Sequence, residues 1–367
     1  GKRVSIRLDT KMEGNPDAFN PAELLLAAIS ACMIKGVERV APMLKFDFRG
    51  IEIRLHGVRQ DVPPRMESIY YVMCWACHRR CKHCYEDRFR PYVRGELDAV
   101  VAEAQRNFPK IIASLPARMT YIDPDEGEKT SRVILSGGEC LMDPVRTEVT
   151  YKVIDALNEK YRAQGGVKIV VQTTGDLLTE AILDDLLARG VYMISVASTD
   201  RFHVGIDTPE KQQEFLDGLA RLFASRGVAR SGLSSGVNRK WHDEPGPLWN
   251  AFGANADTWI GKIWPRGRGW ANGLSSATMA DNFCNRWSGG LGFLNHGRAG
   301  SEVSIEPDGA VYPCCIKTKL PLGNLLEDNL IEILDSLKGE PAFEAINAGE
   351  PQRMGLAYGW SEEKFIA

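Results

Sequence analysis

The chain has 367 residues, a formal net charge of -3 and 25% charged residues. This length is enough for two or more domains of roughly 100 to 200 residues each. The slightly acidic balance excludes the whole-chain basic field typical of nucleic-acid binding. No apolar run approaches the roughly 20 residues that span a bilayer. We therefore expect neither nucleic acid nor a membrane as a partner.

Cysteine usage indicates the compartment. The chain has nine cysteines, an odd number, and Cys74, Cys77, Cys81 and Cys84 crowd into one short stretch. Such crowding is typical of metal sites and not of a secreted disulfide framework. The first residues do not form a signal peptide. We expect a cytoplasmic protein, and because the chain begins at Gly1 without Met, we expect its true N-terminus to be missing.

The N-terminal segment, residues 1–66, is predicted to be a small α+β unit. Asn20 caps a helix, with Pro21 in its first turn and Glu23 at the capping-box spacing. Pro42 ends this helix. Strands are predicted on both sides of it, because apolar residues recur at every second position, namely Val4, Ile6 and Leu8 before it and Phe46, Phe48, Ile51, Ile53 and Leu55 after it.

The stretch from Asn20 to Cys32, with the strands after it, resembles the first half of the OsmC/Ohr family of thiol peroxidases. In that family a Cys on this helix reacts with peroxide and a second Cys on a later helix resolves it. Cys32 stands at the first position, but the chain has no second such helix before the next domain. The resemblance implies a docking or dimerising appendage, and hence a homo-oligomer. A peroxidase centred on Cys32 is the alternative.

From Ser68 onward, strands alternate with helices along the chain. This alternation predicts an α/β fold of right-handed βαβ units with a parallel sheet. Six units would make a partial (β/α)6, TIM-like barrel over residues 67–275, with ligands at the carboxyl ends of its strands. The predicted strands are 69–73, 132–136, 167–173, 191–197, 228–237 and 259–264, and the predicted helices are 97–104, 149–161, 178–188 and 208–225.

Cys77, Cys81 and Cys84 form a CxxxCxxC motif directly after the first predicted strand. Full Cys ligation of a cubane cluster needs four thiolates, so three leave one iron open to a ligand that is not protein. With Tyr85 following, the stretch resembles the cluster loop of the radical SAM enzymes, in which S-adenosylmethionine (SAM) chelates the open iron. Cys74 keeps an alternative open, because four clustered Cys can hold zinc or a closed cluster.

Gly137, Gly138 and Glu139 follow the second predicted strand. Two glycines let the backbone approach a ligand closely, without a Cβ in the way. In this position they resemble the radical SAM motif Gly-Gly-Glu, which binds the amino group of the SAM methionine. Cys140 departs from that family, which commonly has Pro there. Its thiol could donate a hydrogen atom, ligate a metal or have no role, since a reactive Cys needs a setting that lowers its pKa.

Polar residues end the third and fourth predicted strands. Thr173 and Thr174 belong to a segment that resembles the family's Thr-Asn-Gly near the SAM ribose, with Thr174 in place of Asn. A hydroxyl can still bond a ribose hydroxyl, or it can cap the turn. Ser195, Ser198 and Asp200 lie where the family often places polar contacts to SAM.

Two further residues are candidates near the same edge of the sheet. His203 titrates near neutrality, so it could transfer a substrate proton or bond locally. Arg268 lies in Trp264-Pro265-Arg266-Gly267-Arg268-Gly269, which resembles the family's Pro-x-Gly-Arg-Ala turn. We choose Arg268 over Arg266 as the residue that would hold a carboxylate of SAM or of the substrate bidentately.

Residues 276–367 are predicted to form an extension, with a hairpin at Pro307-Asp308-Gly309. The stretch 305–315, with a later Gly-Asn, is similar to the SPASM/twitch extension of radical SAM enzymes, which binds auxiliary clusters. The full pattern has seven Cys, whereas this extension has Cys284, Cys314 and Cys315. A second cluster with an open or non-Cys site and a degenerate extension without a cluster both stay open. Without a clear end signal, we expect the tail to be truncated.

These resemblances imply a radical SAM enzyme of oxidoreductase or lyase type. Its reduced [4Fe-4S] cluster would cleave SAM to a 5′-deoxyadenosyl radical that abstracts hydrogen from a peptide or small-metabolite substrate. A flavodoxin or ferredoxin-type electron donor is implied. The alternative is a non-catalytic scaffold or regulatory protein that holds zinc or a closed cluster.

Overall fold

A computed structural model gives the structure of the chain. It divides into two compact units, Gly1–Val62 and Pro63–Ala367. The residues described are 21–54, 66–123, 127–231, 245–254, 263–278, 281–283, 292–294, 302–351 and 359.

The first unit contains one long helix. Helix α1, Pro21–Val40, confirms the helix that Asn20 and Pro42 delimit in the sequence. The strands predicted after it are not formed: Phe46, Phe48, Ile51 and Ile53 lie in irregular backbone. Alternation alone cannot make a strand, because a strand also needs a hydrogen-bonded neighbour. The predicted strand at 4–8, and Leu55, lie outside the described residues.

The second unit is organised on one large sheet. Among the described residues, nine strands follow each other across it in the order β11-β10-β9-β1-β4-β5-β6-β8-β7, and β2 and β3 form a separate hairpin. The strands are β1 Ser68–Val72, β2 Thr120–Asp123, β3 Gly127–Thr130, β4 Arg132–Ser136, β5 Lys168–Thr173, β6 Met193–Ala197, β7 Ala229–Arg230, β8 Leu248–Phe252, β9 Glu302–Ile305, β10 Ala310–Tyr312 and β11 Gly323–Asn324.

The main series of the sheet is parallel. Strand β1 pairs with β4, β4 with β5, β5 with β6 and β6 with β8, all in the same direction. Strand β1 is buried along its whole length, as expected for a parallel sheet covered on both faces. The α/β class is therefore confirmed. Among the residues that the structure describes, no strand pair joins the two edges of this sheet.

Helices connect the parallel strands and pack against them. Thr208, at the N-cap of α5, accepts a hydrogen bond from the backbone of Lys211, and Thr179 caps α4 in the same way. A π-helical turn, Arg146–Thr150, leads into α3. The helices are α2 Arg94–Ala113, α3 Tyr151–Tyr161, α4 Glu180–Ala188, α5 Pro209–Ala224, α6 Gly267–Ala271, α7 Leu330–Ser336 and α8 Pro341–Asn347.

Two predicted strands need correction. The fifth place in the parallel series belongs to β8. Of the predicted strand 228–237, residues 228–231 are described, and Ala229–Arg230 among them form β7 at the edge of the sheet. Strand β8 is short and has Asn250 within it, so its apolar signal is weak. The predicted sixth strand falls mostly on residues 255–262, which are outside the described residues, and Ile263 and Trp264 do not belong to a strand.

The C-terminal extension continues the same sheet. Strands β9 and β10 form the predicted antiparallel hairpin, and Gly309 adopts the positive φ of 83° that its turn requires. Strand β9 also pairs in parallel with β1. The hairpin is thus placed beside the segment that follows β1. No helix in the described part of the chain is long and apolar enough to cross a membrane.

Candidate functional site

The three cysteines of the CxxxCxxC motif come together in the loop after β1, here called the cluster loop (residues 74–86). Cys77 interacts electrostatically with Cys81 and Cys84. Burial raises the pKa of Cys77 to about 12 and that of Cys84 to about 11. Thiols buried in this way lose their protons when a metal neutralises the thiolates. The donor set therefore fits an iron-sulfur cluster.

Cys74 belongs to a different environment from the other three. Its Sγ lies 4.0 Å from the carbonyl oxygen of Val100 in helix α2, and its side chain is part of the main core under the sheet. Cys77 instead packs in a separate apolar cluster with Trp75 and Phe89. Burial raises the pKa of Cys74 to about 11. Cys74 behaves as a core residue.

The Gly-Gly-Glu turn packs directly on the cluster loop. The amide of Gly138 donates to the carbonyl of Cys74 at 3.1 Å, and the amide of Glu139 to that of Ala76 at 2.9 Å. A Cβ on Gly138 would lie 2.0 Å from the Ala76 oxygen, and one on Gly137 would lie 2.9 Å from the Cys74 oxygen. In the structure these glycines allow the close approach of the cluster loop, and their predicted approach to a ligand stays a prediction.

Glu139 ties the ends of β4 and β5 together. Its side chain is buried, and its Oε1 accepts from the Thr173 hydroxyl at 2.6 Å and the Leu141 amide at 2.9 Å. Its Oε2 accepts from both the amide and the hydroxyl of Thr174 at 2.8 Å. The structure thus brings Glu139, Thr173 and Thr174 together, and their contacts to SAM stay predictions.

Asp176 fixes the near side of the cluster loop, and the sequence analysis did not single it out. His78 Nε2 lies 2.9 Å from its Oδ2, and Arg79 Nε donates to the same oxygen at 3.1 Å. Arg79 Nη1 also donates to the Val204 carbonyl at 3.0 Å. Burial acts to raise the pKa of Asp176, but hydrogen bonds from His78, Thr174 and Arg79 hold it well below its usual range. No pattern in the sequence pairs Asp176 with His78 and Arg79, which lie 98 and 97 positions earlier.

Arg268 fixes the other side of the cluster loop. Its guanidinium donates to the carbonyls of Cys81 and Asp87, both at 2.9 Å, and of Phe89 at 2.6 Å. A Cβ on Gly267, which has φ of 59°, would lie 2.4 Å from the Tyr85 carbonyl oxygen. In these contacts the Arg268 guanidinium donates to backbone carbonyls. Binding of a carboxylate by Arg268 stays a prediction.

A buried network of charges joins the cluster loop to the hairpin. Glu86 forms ion pairs with Arg266 at 2.5 Å, Lys317 at 3.0 Å and Arg88 at 3.1 Å. Glu306, next to β9, pairs with Arg88 at 2.9 Å and contacts Lys317. Burial lowers the pKa of Lys317 to about 8, with a further contribution from the Arg266 charge. The sequence analysis predicted none of these pairs. Three of them, Glu86–Arg266, Glu86–Lys317 and Arg88–Glu306, join residues that are 180, 231 and 218 positions apart.

Asp200 and His203 form a hydrogen-bonded pair against the cluster loop. His203 Nδ1 lies 2.9 Å from Asp200 Oδ1, and the His203 ring edge meets the His83 ring at a centroid distance of 4.7 Å. Burial acts to lower the pKa of His203, but hydrogen bonds to Asp200 and Cys81 raise it to about 9. Burial lowers the pKa of His83 to about 4. The sequence indicated Asp200 and His203 but missed His83.

Other predicted residues bond within the sheet. Ser195 donates to the Asn250 side chain at 2.6 Å, and Ser198 to the Thr174 carbonyl at 2.7 Å. Cys140 is buried, and its Sγ lies 3.7 Å from a carbonyl oxygen of β4. Burial raises the pKa of Cys140 well above its usual range, which is the opposite of what a reactive thiolate needs. The structure gives these three a structural setting, and their functional roles stay predictions.

Tyr85 and Cys315 belong to the same apolar cluster. Tyr85 Oη lies 3.4 Å from Tyr70 Oη. Cys315 packs in this cluster beside Cys77. Cys314 is also buried, and Cys284 lies outside the described residues.

Two family models match segments of the chain. Residues 14–73 match the OsmC-like protein model, and residues 298–354 match the SPASM model, an iron-sulfur cluster-binding domain. Both matches confirm the resemblances stated for the two ends of the sequence. No curated protein matches the chain.

Several solved structures are similar to the chain. BtrN in complex with AdoMet and 2-DOIA is 14% identical over 77% of this chain and 88% of its own, with a TM-score of 0.41. SuiB of Streptococcus suis bound to S-adenosylmethionine is 11% identical over 78% and 68%, with a TM-score of 0.38. Native anSMEcpe with bound AdoMet is 16% identical over 74% and 80%, with a TM-score of 0.38. Similarity at these TM-scores decides neither fold nor activity, so what is shown is an OsmC-like and a SPASM segment in one chain.

Proposed function

We propose that the chain is a radical SAM enzyme whose cluster loop holds a [4Fe-4S] cluster on Cys77, Cys81 and Cys84. When bound, such a cluster supplies the electron that cleaves SAM to methionine and a 5′-deoxyadenosyl radical, which abstracts hydrogen from the substrate. The substrate class is a peptide or a small metabolite, and the electron comes from a flavodoxin or ferredoxin-type donor. The OsmC-like segment serves for docking or dimerisation.

One observation carries the proposal: three thiols converge while the fourth nearby Cys faces away. Cys77, Cys81 and Cys84 interact with one another, whereas Cys74 packs into the main core. A closed four-Cys site needs all four sulfurs on one metal or cluster. The arrangement therefore favours a site with three protein ligands and one open iron.

The residues around the cluster loop hold it in one conformation. Arg79 connects it to Asp176 and Val204. Arg268 donates to the carbonyl of Cys81 within the loop and to those of Asp87 and Phe89 directly after it. The Gly-Gly-Glu turn supports it through amides of Gly138 and Glu139. Rigid support of this kind keeps ligands oriented without cost at the moment of reaction.

Thr174 offers a way for Glu139 to receive the SAM amino group. A carboxylate has about four acceptor positions, and those of Glu139 are already taken by Leu141, Thr173 and Thr174. The Thr174 hydroxyl also contacts Asp176. Because one hydroxyl donates one proton, it can turn to Asp176 and leave an acceptor position on Glu139 for an ammonium group.

The proposal is tested by anaerobic reconstitution with iron and sulfide, followed by dithionite and SAM. We expect 5′-deoxyadenosine from the wild type and none from Cys77→Ala. The matched variant Cys74→Ala removes a thiol of the same loop that faces the core, and we expect it to keep both iron and nucleoside formation. A wild type that binds iron but never forms the nucleoside would contradict the proposal.

A scaffold with zinc or a closed cluster is the second candidate, because Cys74 precedes Cys77 closely enough in the sequence to serve as a fourth ligand. A four-Cys site would lose its bound metal in Cys74→Ala just as it would in the Ala variants of Cys77, Cys81 and Cys84. Metal analysis of the four single Cys→Ala variants separates the two functions, since the three-ligand site loses metal in three of them only.

A further inference from the structure

The cluster loop carries exposed positive charges that have no partner in the described part of the chain. Arg80 and Lys82 flank Cys81, and both are exposed. Neither forms an ion pair with a described residue, whereas the neighbouring Arg79 is paired with Asp176. The whole chain has a net charge of -3, so this concentration of unpaired positive charge is a local feature of the loop.

A third cation lies against the same loop. Arg201 is exposed and, among the residues that the structure describes, has no ion-pair partner. Its guanidinium carbon lies 5.0 Å from the centre of the Phe202 ring, and Phe202 stacks on His83 with 5.1 Å between the ring centres. Of the two acidic residues that follow Tyr85 in the sequence, Glu86 is buried and Asp87 is exposed. The exposed charge around the loop is therefore positive on balance.

Two exposed apolar side chains lie beside these charges. Trp270 is 57% exposed and Val204 is 83% exposed. Trp270 belongs to α6, which is held on the loop because Asn272 Nδ2 donates to the Lys82 carbonyl at 2.9 Å. The Val204 carbonyl accepts from Arg79 at 3.0 Å. Exposed Trp and Arg side chains together are typical of surfaces that bind another protein.

We propose that an acidic one-electron carrier protein of the flavodoxin type docks on a basic surface made of Arg80, Lys82, Arg201, Val204 and Trp270. This inference rests on the proposed function, since only there do the cysteines of the loop hold a cluster that needs an electron. A carrier docked on Arg80 and Lys82 brings its cofactor beside Cys81, a ligand of that cluster. One electron passes from the reduced carrier, which is oxidised, to the cluster, which is reduced, and no covalent bond changes.

Charge on such a surface acts mainly on the rate of association. Electron-transfer complexes bury little area and are transient, so complementary charge contributes to the speed and orientation of the encounter. Electrostatic steering raises association rates by about 10- to 1,000-fold and weakens steeply with ionic strength. The basic surface therefore predicts a salt-sensitive reaction with a protein donor and no such requirement for a small reductant.

The test reverses two of these charges in the variants Arg80→Glu and Lys82→Glu, made singly and together. An acidic flavodoxin, kept reduced by its NADPH-dependent reductase, is one donor, and dithionite is the other, because a small reductant needs no docking. 5′-Deoxyadenosine formation is measured with each donor at low and high salt, with iron per chain determined in parallel. We expect the ratio of the flavodoxin-driven to the dithionite-driven rate to fall about 10-fold or more in the double variant at low salt, and less at high salt.

The matched control is the double variant Arg106→Glu and Lys110→Glu, because both residues are exposed on helix α2 and the change in net charge is the same. We expect it to keep the wild-type ratio, and an equal fall in the control would overturn the inference. Equal losses with both donors in the Arg80 and Lys82 variant would also overturn it, since they would assign these charges to the cluster or to an acidic substrate.

The wild type separates this inference from the proposed function. A wild type that cleaves SAM with dithionite but accepts no electron from flavodoxin contradicts the docking surface alone. A wild type that holds iron and cleaves SAM with neither donor contradicts the proposed function, and the docking surface with it.

Discussion

Arg79 shows how much one side chain contributes to an irregular loop. It stands between the first two cysteines of the motif, and its guanidinium reaches both Asp176 after β5 and the carbonyl of Val204. Irregular backbone lacks the repeating hydrogen bonds of a helix or strand, so such contacts fix its conformation. A sequence pattern identifies the cysteines, but it does not indicate which neighbours hold them.

We expect Arg79→Leu to reduce the iron retained per chain and to lower the free energy of unfolding by about 1–3 kcal/mol, because it leaves a partly buried Asp176 carboxylate short of donors. Iron analysis and urea unfolding measure the two effects. Arg80→Leu changes the exposed neighbour and should alter neither. Equal effects of the two substitutions would mean that the Asp176 contact is unimportant.

Gly138 is the position where a single methyl group should do the most damage. Its Cβ would lie 2.0 Å from the Ala76 oxygen and 2.7 Å from the Cys77 Cβ. We expect Gly138→Ala to cost about 1–3 kcal/mol in stability, as overpacking does, and to displace Cys77 enough to lower cluster content.

The control for Gly138→Ala is Gly95→Ala, since a Cβ on Gly95 would meet no atom within 4 Å. Gly95 lies in the first turn of α2, where Ala should be neutral or stabilising by about 0.5–1 kcal/mol. Urea unfolding compares the two variants. A Gly138→Ala protein as stable as Gly95→Ala would show that the turn and the loop can separate freely.

At the scale of elements, the sequence predicted a helix or strand correctly where a cap or an apolar run marked it locally. Strand β4 was predicted at its observed bounds, and α5 was predicted to within one residue at each end, where Thr208 caps it and Pro209 begins it. The hairpin β2–β3 and the strand β8 were missed, because their short runs mix polar with apolar residues. Neighbouring strands, not local preference, decide such segments.

Lys160 connects the C-terminal end of helix α3 to that of helix α2. Lys160, in the last turn of α3, donates to the carbonyls of Ile112 at 2.6 Å, Ala113 at 3.1 Å and Leu115 at 2.8 Å. These carbonyls lie at the C-terminus of α2, where helical partners are lacking and a positive charge is favourable.

We expect Lys160→Met to lower the free energy of unfolding by about 1–3 kcal/mol, because the carbonyls lose a charged donor. Lys152→Met on the same helix is the matched control. Lys152 forms an exposed pair with Glu148, and such a pair contributes about 0.3–0.5 kcal/mol. Thermal or urea unfolding distinguishes the two, and equal losses would contradict the special role of Lys160.

At the scale of the whole unit, the extension and the cluster loop are coupled by charge. Glu86 and Glu306 come from opposite ends of the unit's sequence, yet they share Arg88 and Lys317. No periodicity or motif could have predicted this network, because charged residues are usually solvated and its two long-range pairs, Arg88–Glu306 and Glu86–Lys317, join residues 218 and 231 positions apart. The convergence of the three cysteines, by contrast, followed from their spacing alone.

We expect Glu86→Gln to lower the free energy of unfolding by about 3–5 kcal/mol, because it leaves buried cations without a partner. The double variant with Lys317→Met should lose less than the sum of the two single variants, since both remove the same interaction. Urea unfolding of the full cycle provides the measurement.

The control pair for this cycle is Asp207 and Lys211. Their exposed side chains form an ion pair with a distance of 3.0 Å between Lys211 Nζ and Asp207 Oδ1. Asp207→Asn and Lys211→Met should each change stability little and show little coupling, because exposed ion pairs contribute little. Additive losses in the Glu86 cycle would contradict a shared network.

The parallel pairing of β9 with β1 has a consequence during synthesis. Ser68 pairs with Glu302, so one edge of β1 has no neighbour until more than two hundred further residues have left the ribosome. At roughly 5–20 residues per second, that interval lasts on the order of ten seconds or longer. An unpaired, apolar strand edge can recruit strands from other chains. We therefore expect the nascent chain to depend on chaperones, and a chain cut short before β9 to aggregate.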